Sequence, residues 1–383
     1  MRFLIPDAGG IIEKQIISGL KEAGHEAFGC FFYPYGADND KEVIRKLVEE
    51  KECEAVLGYA DDARSCLLEI CSEYDVPLIL WHLDAPYNYF QPSYRRNYRY
   101  VYHFCMDRYY VEALQQLGYE KVSYLPLGTT PEIFLPAERC KMKSEVGFVG
   151  KLEIVRAKIV WDSLTEVWKG ADEDYILIKK LIDVACWSGI DVLSTIRVFL
   201  ERGVDLSLAL QIVHFLETIA IQYRRRKPLE ALRDLFTLRI AGDHWEYTSV
   251  YPSQICPRLN YYTELPEFYR SSIINLNVSQ PQIKAGLNQR FFDVPACNGF
   301  LISDPNGEIG NLFVPGEEIV IYNDVPDLID KVKYYLDHPR EREGIVAAAR
   351  DKVLRCHTMK HRMESMIQTL NCSSMEFKLA AQQ

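Results

Sequence analysis

Polar residues able to bind phosphate and sugar groups are concentrated between residues 284 and 293, in the stretch KAGLNQRFFD. Gly286 would let the backbone approach a bound group, and a helix beginning near Asn288 would present unpaired N–H groups to an anion. Asp293, further along that helix, could accept hydrogen bonds from ribose hydroxyls. Together with Arg290, these residues predict a site for a nucleoside diphosphate. The alternative is a surface ion pair of Arg290 with Asp293 beside an ordinary turn at Gly286.

A histidine and an aspartate, His82 and Asp84, lie in the motif WHLDAP at the end of the fourth predicted strand. This carboxyl edge is where open α/β sheets bind ligands. Residues two apart on a strand share a face, so both side chains could reach one ligand. Either could position or deprotonate an acceptor hydroxyl, and Asp84 could fix the tautomer of His82. The alternative is a structural histidine at a strand end.

Length, charge and cysteine usage restrict the class of protein. A chain of 383 residues with 48% hydrophobic content is too long for one ordinary core, so two domains are expected. The formal net charge of -10 argues against nucleic acid as a partner. The 11 cysteines are scattered and never spaced C-x-x-C, which argues against a disulfide framework or a zinc site and predicts a cytoplasmic protein. No apolar run approaches the roughly 20 residues of a membrane span, so no membrane-spanning segment is expected.

The order of apolar runs predicts the elements that must position these residues. Short apolar runs alternate with amphipathic stretches in the first third of the chain, as is typical of a parallel sheet covered by helices. Residues 126–136, PLGTTPEIFLP, predict an interdomain linker because of their three prolines and one glycine. The pattern restarts at EVGFVGK, and helical spacing from about 157 to 236 predicts an insertion after the first strand of a second domain. We expect domains at 1–140 and 141–356, and a helix and tail, 357–383, returning to the first domain.

The residues from 261 onward resemble the C-terminal half of CgeB-like, spore-maturation-type glycosyltransferases. The resemblance is carried by Gly286, Asn288, Arg290 and the run FDVPA at Phe292–Ala296. In the N-terminal half, WHLDAP, YLPLGTTPEIFLP and EVGFVGK are similar to segments of the same family. The resemblance implies a GT-B fold of two Rossmann-like, doubly wound α/β domains. It also implies acceptor binding in the first domain and nucleotide-sugar binding in the second.

A cationic pair in GFVGKLEIVRAK is similar to a known feature of related GT-B enzymes. Gly150 follows a predicted strand, Lys151 comes next and Arg156 lies five positions further. In those enzymes a glycine, an Arg-Leu pair and a lysine at this spacing hold the donor diphosphate, so the resemblance assigns that role here. The order of the two cations is swapped, which moves the bidentate guanidinium to the second position. Such a clamp would need no metal ion, and none is expected; the alternative is two solvated surface cations.

Gly242, after a later strand, is expected to line the nucleotide pocket, with a plain turn as the alternative.

The chain departs from retaining GT-B families at one position. Those families carry two glutamates eight positions apart, and the second, a ribose ligand, corresponds to Asp293. The first corresponds to Ala285, which cannot bind the hydroxyls of the donor sugar. Gln282, Lys284 or Asn288 would then have to supply that contact.

These observations lead to one functional hypothesis and two alternatives. The hypothesis is a metal-independent glycosyltransferase without a cofactor. It would move a sugar from a nucleoside-diphosphate sugar, with UDP favoured, to an unidentified glycan, protein or small molecule. Retention at the anomeric carbon follows only from the resemblance. The alternatives are a sugar-nucleotide-binding scaffold without activity and a transferase that glycosylates nucleic acid. The second alternative is motivated by the Tyr- and Arg-rich stretch APYNYFQPSYRRNYRYVYHF, residues 85–104.

Overall fold

The structure, a computed structural model, describes residues 1–7, 12–31, 38–58, 64–90, 101–136, 141–167 and 172–380. Its internal contacts divide the chain into two compact units. Unit 1 comprises Met1–Phe134, Ala285–Asp293 and Asp351–Gln383, and unit 2 comprises Leu135–Lys284 and Val294–Arg350. The segment Ala285–Asp293, which the sequence analysis placed in the second domain, clusters with unit 1. The domain boundaries at 1–140, 141–356 and 357–383 stay predictions.

The described part of unit 1 contains a six-stranded parallel sheet with the order β2-β1-β3-β4-β5-β6. Its strands are β1 (Arg2–Asp7), β2 (Glu26–Phe31), β3 (Ala55–Gly58), β4 (Leu78–His82), β5 (Val101–Cys105) and β6 (Val122–Tyr124). The helices between them are α1 (Glu13–Glu22), α2 (Asp38–Glu50), α3 (Arg64–Glu73) and α4 (Arg108–Gln116). The strand LILWH, β4, is buried along its whole length, as a central strand covered on both faces must be.

Unit 2 repeats this architecture around a second parallel sheet, whose described strands have the order β12-β11-β10-β7-β8-β9. They are β7 (Ser144–Val149), β8 (Leu238–Ala241), β9 (Ile255–Cys256), β10 (Ser272–Asn277), β11 (Leu301–Ser303) and β12 (Val320–Ile321). Phe148, Trp245 and Ile274 lie in one fully buried core beneath this sheet. The two doubly wound units confirm the α/β fold class that the sequence predicted.

The described part of unit 2 and the C-terminal part of the chain also contain ten helices. After β7 come α5 (Ile154–Val167), α6 (Asp172–Trp187), α7 (Val192–Glu201) and α8 (Leu206–Leu232). Later helices are α9 (Leu265–Arg270), α10 (Arg290–Ala296), α11 (Ile309–Leu312), α12 (Val325–Asp337), α13 (Pro339–Cys356) and α14 (Met359–Ala380). Helices α5 to α8 lie between β7 and β8, so the predicted helical insertion is confirmed.

The longest helix of the insertion is α8, with 27 residues. The side chain of Asp205 accepts a hydrogen bond from the backbone N–H of Leu208 and so caps its first turn. Helices α5, α6 and α7 pack against it. By length and composition alone α8 could cross a membrane, and 56% of its most apolar window is buried inside the protein. The same properties describe the central helix of a helical bundle, which is the place that α8 has in unit 2.

In unit 1 the final helix is fixed against the segment that follows β6. A Cβ atom on Gly19 of α1 would lie 2.8 Å from the Met359 side chain, so glycine permits the close approach of α1 and α14. The guanidinium of Arg362 on α14 donates to the carbonyls of Leu127 (2.8 Å) and Cys356 (3.1 Å). Residues 127–130 of the predicted linker are therefore buried rather than solvated.

Arg362→Met should destabilise unit 1, because it leaves the buried carbonyl of Leu127 without its donor. Arg362 is 6% exposed, and burial lowers the pKa of its guanidinium to about 10. An unpaired buried acceptor costs about 1–3 kcal/mol, so we expect a lower melting temperature by circular dichroism. The control is Lys360→Met, since the Lys360 side chain is largely solvated beside Glu364. Equal melting temperatures of the two variants would contradict this assignment.

Candidate active site

The sheet of unit 2 has its topological switch point between β7 and β10. From β7 the chain continues to β8 and β9 on one side of the sheet, and β10 pairs with β7 on the other. Ligands of open α/β sheets bind at the carboxyl ends of the strands beside such a point. The loop after β7, which holds Gly150 and Lys151, therefore lies where a ligand is expected.

Two glycines bring the loops after β7 and β8 into backbone contact. The N–H of Gly150 donates to the carbonyl of Ala241 at 2.8 Å. Gly242 has φ +137°, and a Cβ atom there would overlap the carbonyl of Gly150. The indole N–H of Trp245 donates to that same carbonyl at 2.6 Å. The close approach explains Gly150 and Gly242 without a ligand, and their role in nucleotide binding stays a prediction.

The two predicted clamp cations lie at the surface, Lys151 in this loop and Arg156 in the helix that follows it. The ammonium of Lys151 forms an ion pair with Glu153 at 2.7 Å and its side chain is 49% exposed. Arg156, in the first turn of α5, is exposed. Glu153 is nearly buried and has φ +57°, a conformation that non-glycine residues rarely adopt and that is enriched at functional sites.

Helix α8 contributes two residues here that the sequence analysis missed. Arg225 is 1% exposed, and its guanidinium donates to the carbonyl of Lys151. The ring of His214 lies near Arg156 and Glu153, and its Nε2 meets no hydrogen-bond partner among the described residues. Burial lowers the pKa of His214 to about 4; the positive charge of Arg156 lowers it further, while Glu153 opposes the shift. Both residues lie in a stretch whose apolar spacing predicted a helix and gave no sign of a functional site.

Lys284, in the loop between β10 and α10, is fixed by two acceptors. Its ammonium donates to the carboxylate of Glu217 on α8 at 2.6 Å and to the carbonyl of Pro281 at 2.8 Å. The Lys284 side chain is 13% exposed and that of Glu217 is almost completely buried. Like Arg225 and His214, Glu217 belongs to the helical insertion, for which the sequence predicted no function.

In unit 1 the structure brings His82 to a second histidine, His103. Nε2 of His82 and Nδ1 of His103 on β5 are 2.9 Å apart, and both rings are buried against Tyr89. Strand β4 ends at His82, whereas Asp84 lies in a bend beyond it and is exposed. The shared strand face predicted for the two residues therefore ends before Asp84. Their catalytic roles stay predictions.

The glycine of the motif at 284–293 packs closely against its own chain. A Cβ atom on Gly286 would lie 2.7 Å from the carbonyl of Met106, and the N–H of Ala285 donates to the carboxylate of Asp107. Asn288 accepts a hydrogen bond from the backbone N–H of Arg290 and so begins α10. The predicted helix start is thus close to the observed one.

Asp293 is fully buried in unit 1, which rules out its part in a surface ion pair. Its Oδ1 accepts hydrogen bonds from the hydroxyl of Thr129 at 2.7 Å and from the amide of Gln289 at 3.0 Å. The same amide donates to the carbonyl of Gly128. Asp293 thus has a structural role in holding residues 128–129. A contact with ribose, like the ligand roles of Gly286, Asn288 and Arg290, stays a prediction.

Two other predictions concern nucleic acid and metal ions, and the described residues test neither of them. In the Tyr- and Arg-rich stretch 85–104, which motivates the nucleic-acid alternative, residues 91–100 lie outside the described residues. Over the described ranges, His, Cys, Asp and Glu side chains form no group of three or more that could hold a metal ion. The metal-free mechanism is not tested by that observation and stays a prediction.

Comparison with known proteins places this site in context. Residues 224–368 match a family model described as glycosyl transferase-like. The spore protein CgeB of Bacillus subtilis is 26% identical over 177 residues, which cover 40% of this chain and 51% of CgeB. The chain thus spans about half the length of this curated relative. The predicted resemblance to CgeB-like glycosyltransferases is confirmed.

Solved structures show the fold of the whole chain. A glycosyltransferase from Rickettsia africae has a TM-score of 0.54 at 10% identity, with 96% of this chain and 97% of that chain covered. Anabaena HepE in complex with UDP and glucose has a TM-score of 0.53 at 10% identity, with 97% and 99% covered. At such identity the likeness shows the fold alone. The fold is GT-B, as the sequence resemblance implied.

His214→Gln should make the protein less sensitive to acid. The folded-state pKa of His214 is about 4 and the unfolded value is 6.5, so the unfolded state binds more protons between these pH values. The neutral ring thus contributes stability that is present above pH 6.5 and is lost as the pH falls towards 4. From pH 6.5 to 5 this amounts to about 1.5 kcal/mol, because the unfolded ring is only half protonated at pH 6.5 and the full slope of 1.36 kcal/mol per pH unit is reached below it. Urea midpoints at both pH values measure it. The control is the surface variant His338→Gln, and an unchanged pH dependence of His214→Gln would contradict the assignment.

Proposed function

We propose that the protein is a glycosyltransferase that uses a nucleoside-diphosphate sugar, with UDP as the favoured nucleotide. The observation that carries the proposal is the cationic loop at the switch point of unit 2, inside a GT-B fold. Two further findings support it: the family match over residues 224–368 and the complexes of HepE with UDP and with UDP-glucose. HepE supplies the nucleotide of the proposal by analogy of fold.

In this proposal Lys151 and Arg156 bind the donor diphosphate from unit 2. Both reach solvent at the carboxyl edge of β7, and neither is locked in a buried ion pair. The glycosidic bond of the donor breaks with growth of negative charge on the diphosphate, which two nearby cations stabilise more in the transition state than in the ground state. Retention of the anomeric configuration and independence from metal ions are part of the proposal.

Unit 1 binds the acceptor in this proposal, with His82 at the carboxyl edge of β4. The hydrogen bond with His103 gives His82 a partner that holds its ring and tautomer. His82 then orients the acceptor hydroxyl or takes its proton. The acceptor is a glycan, a protein or a small molecule.

One observation favours a second candidate, a sugar-nucleotide-binding scaffold. Ala285 lacks a carboxylate, and the buried carboxylate of Asp293 is bonded to Thr129. Incubation with UDP-sugars and detection of released UDP distinguishes the two, because only a transferase breaks the donor bond, by transfer or by slow hydrolysis. Binding without release over many hours would favour the scaffold.

A thermal-shift screen of nucleotides tests donor binding first. A ligand present at 100 times its dissociation constant stabilises the folded protein by about 2.7 kcal/mol. We expect UDP to raise the melting temperature more than GDP, ADP or CDP. No shift with any of them would contradict the proposal.

Lys151→Ala and Arg156→Ala should each lower turnover by roughly 10- to 1,000-fold while leaving the melting temperature close to wild type. The reason is that both cations meet the leaving diphosphate and neither packs in the core. Lys158→Ala is the matched control, since Lys158 is an exposed cation of the same helix beside Asp162. UDP release from a UDP-sugar measures the rate. Equal rates for all three variants would show that the loop is not the clamp.

Chelation tests the metal-free mechanism separately. Asp-x-Asp spacings, which divalent ions can use in other sugar transferases, occur at residues 38–40 and 172–174. We expect EDTA to leave the rate of UDP release unchanged, because the two cations supply the charge. Loss of activity that manganese or magnesium restores would overturn this part of the proposal.

His82→Ala should leave UDP affinity unchanged, because His82 belongs to the acceptor unit. Transfer should fall, by about 10²- to 10⁴-fold if the ring moves the proton and by less if it only orients the acceptor. Calorimetry gives the affinity and product formation gives the rate. Loss of nucleotide binding in a variant with wild-type circular dichroism would show that the assignment of His82 to the acceptor is wrong.

A further inference from the structure

The loop after β7 holds its lysine in an ion pair that a phosphate would have to replace. The ammonium of Lys151 lies 2.7 Å from the carboxylate of Glu153, and 49% of the Lys151 side chain is exposed. Only 12% of the Glu153 side chain is exposed, so the pair is open to solvent on the side of the lysine. A diphosphate that reaches Lys151 therefore competes with Glu153 for the same ammonium.

Helix α8 lies on the buried side of this pair. Its Arg225 donates to the carbonyl of Lys151, which fixes the helix against the loop. His214, about three turns earlier on α8, has its ring near Glu153 and Arg156. The Nε2 atom of His214 is buried and has no hydrogen-bond partner among the described residues. This nitrogen can therefore change its protonation state without breaking a hydrogen bond of the fold.

The surroundings of His214 favour a neutral ring in this structure. Burial lowers the pKa of His214 to about 4; the guanidinium of Arg156 acts in the same direction, and Glu153 opposes both. Helices α5, α6 and α7 all pack against α8. Among the described side chains of these elements, Arg156 and Glu153 are the charged groups that act on the ring.

A diphosphate bound at Lys151 and Arg156 reverses this balance. Its negative charges offset the guanidinium that disfavours the protonated ring. Glu153 in turn loses its ammonium, and a carboxylate with so little solvent is costly to leave without a positive partner. Both changes favour a proton on His214.

We infer that His214 is a positioning residue of the donor site, which takes up one proton when a diphosphate binds at Lys151 and then holds Glu153 in place of that lysine. The proton comes from solvent and returns to it when the nucleotide leaves. The inference rests on the proposed function and gives the helical insertion a part in it. Lys151 is thereby released to the diphosphate, and the site gains a third positive charge while the donor is bound.

Calorimetry in two buffers of different ionisation enthalpy, MES and Bis-Tris, counts the protons taken up on binding at pH 6. One ligand is UDP-glucose, because a diphosphate esterified at both ends lacks the ionisation near pH 6 of a terminal phosphate. The other is UDP, whose own ionisation cancels when wild type is compared with His214→Gln. We expect wild type to take up about one proton more than His214→Gln with either ligand.

The pH dependence of affinity is a second readout. The pKa of His214 is about 4 in the free protein and higher in the complex, so between these values the complex binds one more proton and affinity falls as the pH rises. From pH 5.5 to 6.5 the dissociation constant of wild type for UDP-glucose should rise about tenfold. That of His214→Gln should stay constant, whereas a purely structural role of His214 would leave no pH dependence to lose.

Two further variants complete the test. Glu153→Gln keeps the size of the side chain and removes the charge that stabilises an imidazolium, so it should abolish most of the uptake, even if His214→Gln does not fold. His338→Gln is the matched control, since His338 is an exposed histidine at the end of α12. It should take up as many protons as wild type.

Uptake that is absent in wild type, or that persists in His214→Gln or in Glu153→Gln, overturns the inference. The proposed function then still stands, because the nucleotide is bound in these experiments. A wild-type protein that binds neither UDP nor UDP-glucose overturns the proposed function and the inference with it. The binding heat of the wild-type protein thus separates the two failures.

Discussion

The guanidinium of Arg225, buried within unit 2 and bonded to the carbonyl of Lys151, fixes the loop on which the rest of the candidate site depends. Burying a cation is costly without a hydrogen-bond acceptor, so the bond to the carbonyl of Lys151 makes α8 and the loop after β7 constrain each other. With the carbonyl of Lys151 turned inward, its side chain reaches outward to solvent. The positive φ of Glu153 then turns the chain into α5, with Arg156 in the first turn.

Backbone contact through glycine is the second constraint, and it recurs in both units. Gly242 lies against Gly150 in unit 2, and Gly286 lies against Met106 in unit 1. In each case the motif glycine makes room for another part of the protein itself. A glycine in a ligand-binding motif therefore serves the architecture of the loop as directly as it would serve a ligand.

The sequence predicted well those features that depend on local patterns. Apolar runs of strand length predicted the two parallel sheets. Helical spacing predicted an insertion at about 157–236, and in the structure its helices run from Ile154 to Leu232. The sequence could not predict the partners of the candidate site residues, because those partners come from distant parts of the chain. Glu217 lies 67 positions before Lys284, and Thr129 lies 164 positions before Asp293. His103 was visible only as a polar residue in the strand motif YVYHFC, and Asp84 was misplaced because β4 ends at His82.

The position of the four-helix insertion has a consequence for how such a protein can change over generations. A crossover between parallel strands may be long, and its length does not affect the pairing of the strands that it joins. Here β7 and β8 remain in regular register from Val146 with Leu238 to Val149 with Ala241, although helices α5 to α8 lie between the two strands in the chain. Substitutions in α5 to α7 can thus remodel a neighbouring surface while the sheet stays intact. Helix α8 is more tightly constrained, because Leu229 and Leu232 lie in the core of the sheet and Arg225 holds the loop after β7.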